Sequence, residues 1–212
     1  MQKALTALGA TLALLACAVS PSDPFDVGSQ QSWNGLFQGC DIVDGVDHCA
    51  FHVNGWKFYA YQDGPTPFAL LETLHGLPIN TPLRLRGSLL EVGDITASLQ
   101  LSAVELGVFA DPQADLRSRL QGRWMSMDDP LSEIEIMGSE IRNMYNGSFL
   151  DVEFLQLADQ CPDAPPGAGP LLIITTPEDH QSPRCFGLNT VSETRLELSY
   201  MGRGNTLRYR RP

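Results

Sequence analysis

The sequence predicts a chain that is all-β in the main, folded as two small barrels in series. Three observations lead there. Short runs rich in β-branched and aromatic residues recur along most of its length. Asn-Gly, Asp-Gly and other glycine-containing pairs separate them, which is the chemistry of tight turns. Only two stretches read as helix, and Asp111-Pro112 marks a boundary between the halves. The first barrel spans 31–108, with five strands and one short helix. The second spans 111–212 and is an up-and-down barrel.

Before the first strand, residues 1–17 read as a signal segment. Lys3 precedes an apolar run from Ala4 to Ala16. The run is shorter than the ~20 residues a membrane span needs. Its end, Leu14-Leu15-Ala16-Cys17, resembles a bacterial lipoprotein signal. That resemblance implies that Cys17 takes a lipid and becomes the mature N-terminus, anchoring the chain at the outer membrane. Ala16-Cys17-Ala18 also fits a small-x-small cleavage site, which would remove Cys17 and leave a soluble periplasmic or secreted protein. Residues 18–30 form a tether. In either case the other four cysteines, Cys40, Cys49, Cys161 and Cys185, enter an oxidising compartment and can close two bridges.

The five strands of the first half follow from turn chemistry. Cys40 to Cys49 is symmetric about Asp44-Gly45, a two-residue hairpin signal. Counting outward, Val43 faces Val46, Asp41 faces His48 and Cys40 faces Cys49. Alternation makes the last pair non-hydrogen-bonded, with the close Cα approach that suits a disulfide. Asn54-Gly55 joins the next two runs, Cys49 to Val53 and Trp56 to Tyr61. Phe68 to His75 reads as a short helix after Pro67, stopped by Gly76. Pro82 to Glu91 and Ile95 to Leu106 complete the set, the latter with apolar–polar alternation from Ile95 to Ala103. Three strands, a helix and two strands is the element order of the OB-fold, which the segment resembles. The resemblance implies binding of oligonucleotides or oligosaccharides. Trp56, Phe58 and Tyr59 are the aromatics for stacking, set against a reading in which they are packing residues.

Ala114 to Leu120 is a short helical lead-in to the second barrel. Eight extended runs follow: Arg123 to Met127, Ser132 to Met137, Glu140 to Tyr145, Ser148 to Leu157, Leu171 to Thr176, Arg184 to Thr190, Thr194 to Met201 and Thr206 to Arg210. Closing them on themselves removes exposed sheet edges. Gly122-x-Trp124 after the helical lead-in resembles the opening of lipocalin-type barrels, and Leu196 to Tyr209 resembles the end of small lipocalin-like domains of bacterial envelope proteins. The resemblance implies barrel-floor packing of Gly122 and Trp124 under an arginine of the last strand, Arg208 or Arg210. Ile134, Ile136, Ile141, Leu155 and Ile173 are the expected inward positions. Cys161 and Cys185 are expected to form the second bridge around the Pro- and Gly-rich loop 162–170.

Composition narrows the function. Net charge is −11 and the pI is about 4.6, so phosphate backbones are repelled and nucleic acid is not the expected partner. Lys57 is the sole lysine after the signal. Arg203, Arg208, Arg210 and Arg211 crowd the C-terminus and are expected to pair with Glu193 and Glu197 across strands. There is no G-x-S-x-G elbow, no phosphate-binding glycine loop and no redox pair of cysteines. His48 and His52 share a strand face but stand more than about 10 Å apart, too far for one metal. Asp41, Asp44 and Asp47 do not have the spacing of a calcium loop. The expectation is therefore a non-enzymatic envelope protein with no cofactor and no metal. It is a binding or interaction module for an envelope protein or a polysaccharide, and it meets the membrane through the lipid at Cys17. The alternative is a carrier of a small apolar ligand inside the second barrel.

Overall fold

The computed structural model of this chain describes residues 25–212. The signal, Cys17 and most of the tether lie outside the described residues. The first domain comprises β1 (Gln30–Val43), β2 (Val46–Val53), β3 (Trp56–Tyr61), α1 (Phe68–Leu74), β4 (Pro82–Val92) and β5 (Thr96–Leu106). They close into a barrel in the order β1-β2-β3-β5-β4, with β3 and β5 parallel and the other pairs antiparallel. Both predicted hairpin turns form. Asp44 and Gly45 have φ of 53° and 82°, and Asn54 and Gly55 of 49° and 88°. Positive φ at both central residues matches the right-handed twist of the strands they join. The register places Cys40 opposite Cys49 and Asp41 opposite His48, and the Cys40–Cys49 disulfide is present.

Alternation along β2 and β3 sends Cys49, Phe51, Val53, Phe58 and Ala60 into the first core. Leu71 and Leu74 of α1 plug the barrel, both fully buried. Trp33 meets Phe58 edge to face at 5.4 Å between ring centroids. Phe58 is thus a packing residue. Trp56 is half-buried, with its ring 4.4 Å from that of Phe25.

The second domain opens with α2 (Ala114–Leu120). It continues as β6 (Gly122–Ser126), β7 (Ser132–Met137), β8 (Glu140–Tyr145), β9 (Ser148–Ala158), β10 (Leu171–Thr176), β11 (Asp179–Val191), β12 (Arg195–Tyr200) and β13 (Thr206–Arg210). These eight strands close into an antiparallel up-and-down barrel, with β13 returning to β6. Ile134, Ile136, Ile141, Leu155, Leu157, Leu172, Ile174, Phe186, Leu196 and Leu198 fill it. Ile173 does not. It stands opposite Cys185 in register while its neighbours Leu172 and Ile174 face inward. One residue of phase decides the face of a strand. Cys161 and Cys185 are bridged, closing a loop with a sequence separation of 24; the chain-entropy model assigns such a loop about 3 kcal/mol.

Trp124 forms the barrel floor. It is fully buried, and its indole N–H donates to the Leu120 carbonyl at 2.8 Å. The arginine over it is Arg211, not Arg208 or Arg210: the Arg211 guanidinium carbon lies 3.9 Å from the ring centroid. In β13, Tyr209 packs against the core, so alternation turns Arg208 and Arg210 outward to exposed positions. Arg211, just past the strand, hooks back over the floor. It donates to the carbonyls of Arg119 at 3.0 Å and Glu193 at 3.1 Å. Gly122, at φ 100°, lies directly against it, where a Cβ would collide with the guanidinium. Arg208 ion-pairs with Asp128, and Glu197 takes Arg195 instead.

Candidate functional site

The site is built where the second barrel meets the first. The alternation that buries Cys49, Phe51 and Phe58 puts His48, Ala50 and His52 of β2, and Lys57, Tyr59 and Tyr61 of β3, on the outer face of the first barrel. The β7–β8 turn of the second barrel lies on that face. The Lys57 ammonium pairs with the Glu140 carboxylate, and the Ser139 amide donates to Gln38 of β1. Lys57 also stands over the rings of Tyr59 and Phe154, at 5.3 and 5.5 Å. Burial and the nearby Arg142 guanidinium lower the Lys57 pKa to about 8. The Glu140 carboxylate works in the opposite sense by favouring the charged form.

Beside this contact a cleft of about 310 Å³ remains open. Its walls include Asp41, His48, Lys57 and Tyr59 from the first domain, and Met137, Glu140 and Arg142 from the second. Three rings cluster at this face: His48 with Tyr59 at 5.7 Å, His48 with Tyr61 at 5.6 Å, and Tyr59 stacked on Tyr61 at 6.0 Å. Burial, then the neighbouring Tyr61, raises the Tyr59 phenol to about 12, so it is a neutral hydroxyl at any physiological pH. The His48 Nδ1 atom in the wall is buried without a hydrogen-bond partner among the described residues. The wall thus mixes both signs of charge with aromatic faces and hydroxyls. That chemistry suits a neutral, hydroxyl-rich ligand better than a strongly charged one.

Other predicted residues fall elsewhere. His48 lines this cleft, whereas His52 lines a different one. Asp47 Oδ2 accepts from His75 Nε2 at 2.7 Å. Cys40, Cys49 and His75 are grouped closely enough to hold an ion, but both sulfurs are tied in the disulfide. Glu133 pairs with Arg123 across β6 and β7. Sequence reasoning missed Gln38, Glu140 and Arg142 as cleft residues, because no motif links positions on two domains. The isolation of Lys57 as a lone lysine was the one available hint.

The interior of the second barrel is a separate feature. Near its mouth lies a cavity of about 90 Å³, with Ile136, Leu172 and Phe186 below and Asn143, Glu153, Arg184 and Tyr209 above. Glu153 is 8% exposed, pairs with Arg184 and accepts from Asn143 Nδ2 at 3.1 Å. Small-ligand pockets usually run from about 300 Å³ upward. This one is well below that range.

No protein family matches the chain, and no curated protein does. One solved structure similar to part of the chain is described as "OBody AM3L15 bound to hen egg-white lysozyme". It shares 17% identity, with 42% of this chain and 85% of that chain covered, at a TM-score of 0.33.

Proposed function

We propose that this chain is a non-enzymatic binding module of the bacterial cell envelope, and that it holds a neutral polysaccharide in the cleft between its two barrels. The observation that carries this reading is the His48–Tyr59–Tyr61 ring cluster, set beside Lys57, Glu140 and Arg142. Tyrosine faces stack on the apolar faces of sugar rings, and the surrounding charged groups donate to and accept from hydroxyls. The excess of acidic residues disfavours a polyanion. Two disulfides fit an oxidising compartment outside the cytoplasm. The test is co-sedimentation with insoluble neutral glucan and with purified cell-wall sacculi. The chain is expected to bind one of them saturably. Tyr59→Ala should weaken that binding about tenfold, the order of one lost stacking contact.

A second reading has its own observation. Met127, Leu131, Tyr145, Phe149, Leu150 and Leu207 are all exposed, and strand order puts them at one end of the second barrel. An apolar rim of this kind marks a protein contact, and here it favours an envelope protein as partner. The double variant Phe149→Ser, Leu150→Ser should then lose crosslinks to that protein in the envelope while keeping polysaccharide binding. Unchanged crosslinks would remove the rim from consideration.

A further inference from the structure

A second cleft, of about 300 Å³, lies further along β2, where the connecting segment 107–113 meets α2 and β9. Two of its wall residues are more than nine-tenths buried, and each keeps one polar atom with no partner among the described residues. They are His52, 6% exposed, through Nε2, and Arg117, 5% exposed, through Nη1. Buried polar groups are nearly always paired, so two unmet ones in one cleft point to a ligand.

The charges in the wall say which kind. Arg117 Nε donates to Asp111 Oδ2 at 2.9 Å, and Asp111 Oδ1 accepts the Gln113 amide at 3.0 Å. The guanidinium charge is thereby matched, while Nη1 still has a hydrogen to give. Asp159, which accepts from the Gln113 side chain at 3.4 Å, adds a further carboxylate to the wall. An anion would meet net negative charge here. Burial lowers the His52 pKa to about 4, so its ring is neutral at pH 7 and one nitrogen accepts. The amides of Asn34, Asn54 and Gln156 line the rest, with the half-buried ring of Phe109 beside them. Amides both donate and accept, as hydroxyls do.

We propose that this cleft binds a neutral, hydroxyl-bearing small molecule, a polyol or a single sugar unit, with one hydroxyl accepting from Arg117 Nη1 and donating to His52 Nε2. The site stands on its own residues and does not depend on the Tyr59 cleft. It is tested by NMR of the His52 ring nitrogens in the folded protein, titrated with glycerol, glucose, acetate and sulfate. Glycerol or glucose is expected to shift Nε2 saturably, and acetate and sulfate to leave it in place. Arg117→Lys keeps the charge beside Asp111 but removes Nη1, and should weaken the response at least tenfold. Should that variant not fold, Asn34→Leu on the exposed edge of the cleft serves instead, with the same expectation. Tyr59→Ala should leave the response intact, which separates this site from the polysaccharide cleft. No saturable shift with either polyol, or a shift with acetate or sulfate instead, would overturn the assignment.

Discussion

Replacing Trp124 with alanine is expected to destabilise the second barrel by about 3–5 kcal/mol, the usual range for removing a buried aromatic. The reason is the number of separate roles the indole holds at the floor. It is fully buried among strands of the barrel, its N–H satisfies the Leu120 carbonyl at the end of α2, and its face carries the Arg211 guanidinium. Truncation leaves a cavity, an unmet carbonyl and an arginine with nothing beneath it. A small domain has only about 5–15 kcal/mol in total, so the variant should stand close to unfolding at 37 °C. Urea unfolding followed by far-UV circular dichroism measures this. A loss below about 1 kcal/mol would show that the floor is not where the barrel is held.

Acid should weaken the fold through His52. The ring is buried, and burial first, then the charges of Arg117 and Lys57, lowers its pKa to about 4; Asp111 acts in the opposite direction. The ordinary value is about 6.5. Between those two values the unfolded chain binds a proton that the folded chain does not. Stability therefore falls as pH drops through this window, by roughly 3 kcal/mol once both values are passed. Urea midpoints from pH 7 down to pH 4 should show a steeper decline for the natural chain than for His52→Phe, whose ring cannot charge. Carboxylates titrate in both proteins, so the difference between the curves isolates His52. Parallel curves would contradict the account.

Turn chemistry made most of the fold legible. Asp44-Gly45, Asn54-Gly55 and Asn146-Gly147 all adopt positive φ at both positions, and the pairing that follows from the first one sets Cys40 against Cys49. Strand faces were legible wherever alternation was clean, as along β5. They failed at Ile173, where the run Leu171-Leu172-Ile173-Ile174 is apolar on both faces and carries no phase. The start of β11 was hidden because Pro183 interrupts it, and proline argues against a strand. The arginine on Trp124 was misplaced for a different reason. Position in the last strand singled out Arg208 and Arg210, whereas the residue that reaches the floor is the one freed from the strand's alternation, Arg211. The cleft between the barrels was the least legible feature. Strand pairing within a domain is written in local pattern. The seating of Glu140 on Lys57, or of Ser139 on Gln38, depends on how two closed barrels meet, and no periodicity records that.

The same junction explains why an OB-like barrel does not present its β2–β3 face freely. The β7–β8 turn covers part of it beside the cleft that contains His48, while segment 107–113, α2 and β9 wall the cleft that contains His52. The His48 cleft draws its walls from both domains at once. Lys57 and Tyr59 come from one, Glu140 and Arg142 from the other.

The most direct test of this account is co-sedimentation of the disulfide-intact protein with insoluble neutral glucan and with sacculi, comparing the natural chain with Tyr59→Ala. Saturable binding by the natural chain, weakened about tenfold in the variant at unchanged thermal stability, is the predicted result. Failure to bind either polymer, or equal binding by both proteins, would contradict it.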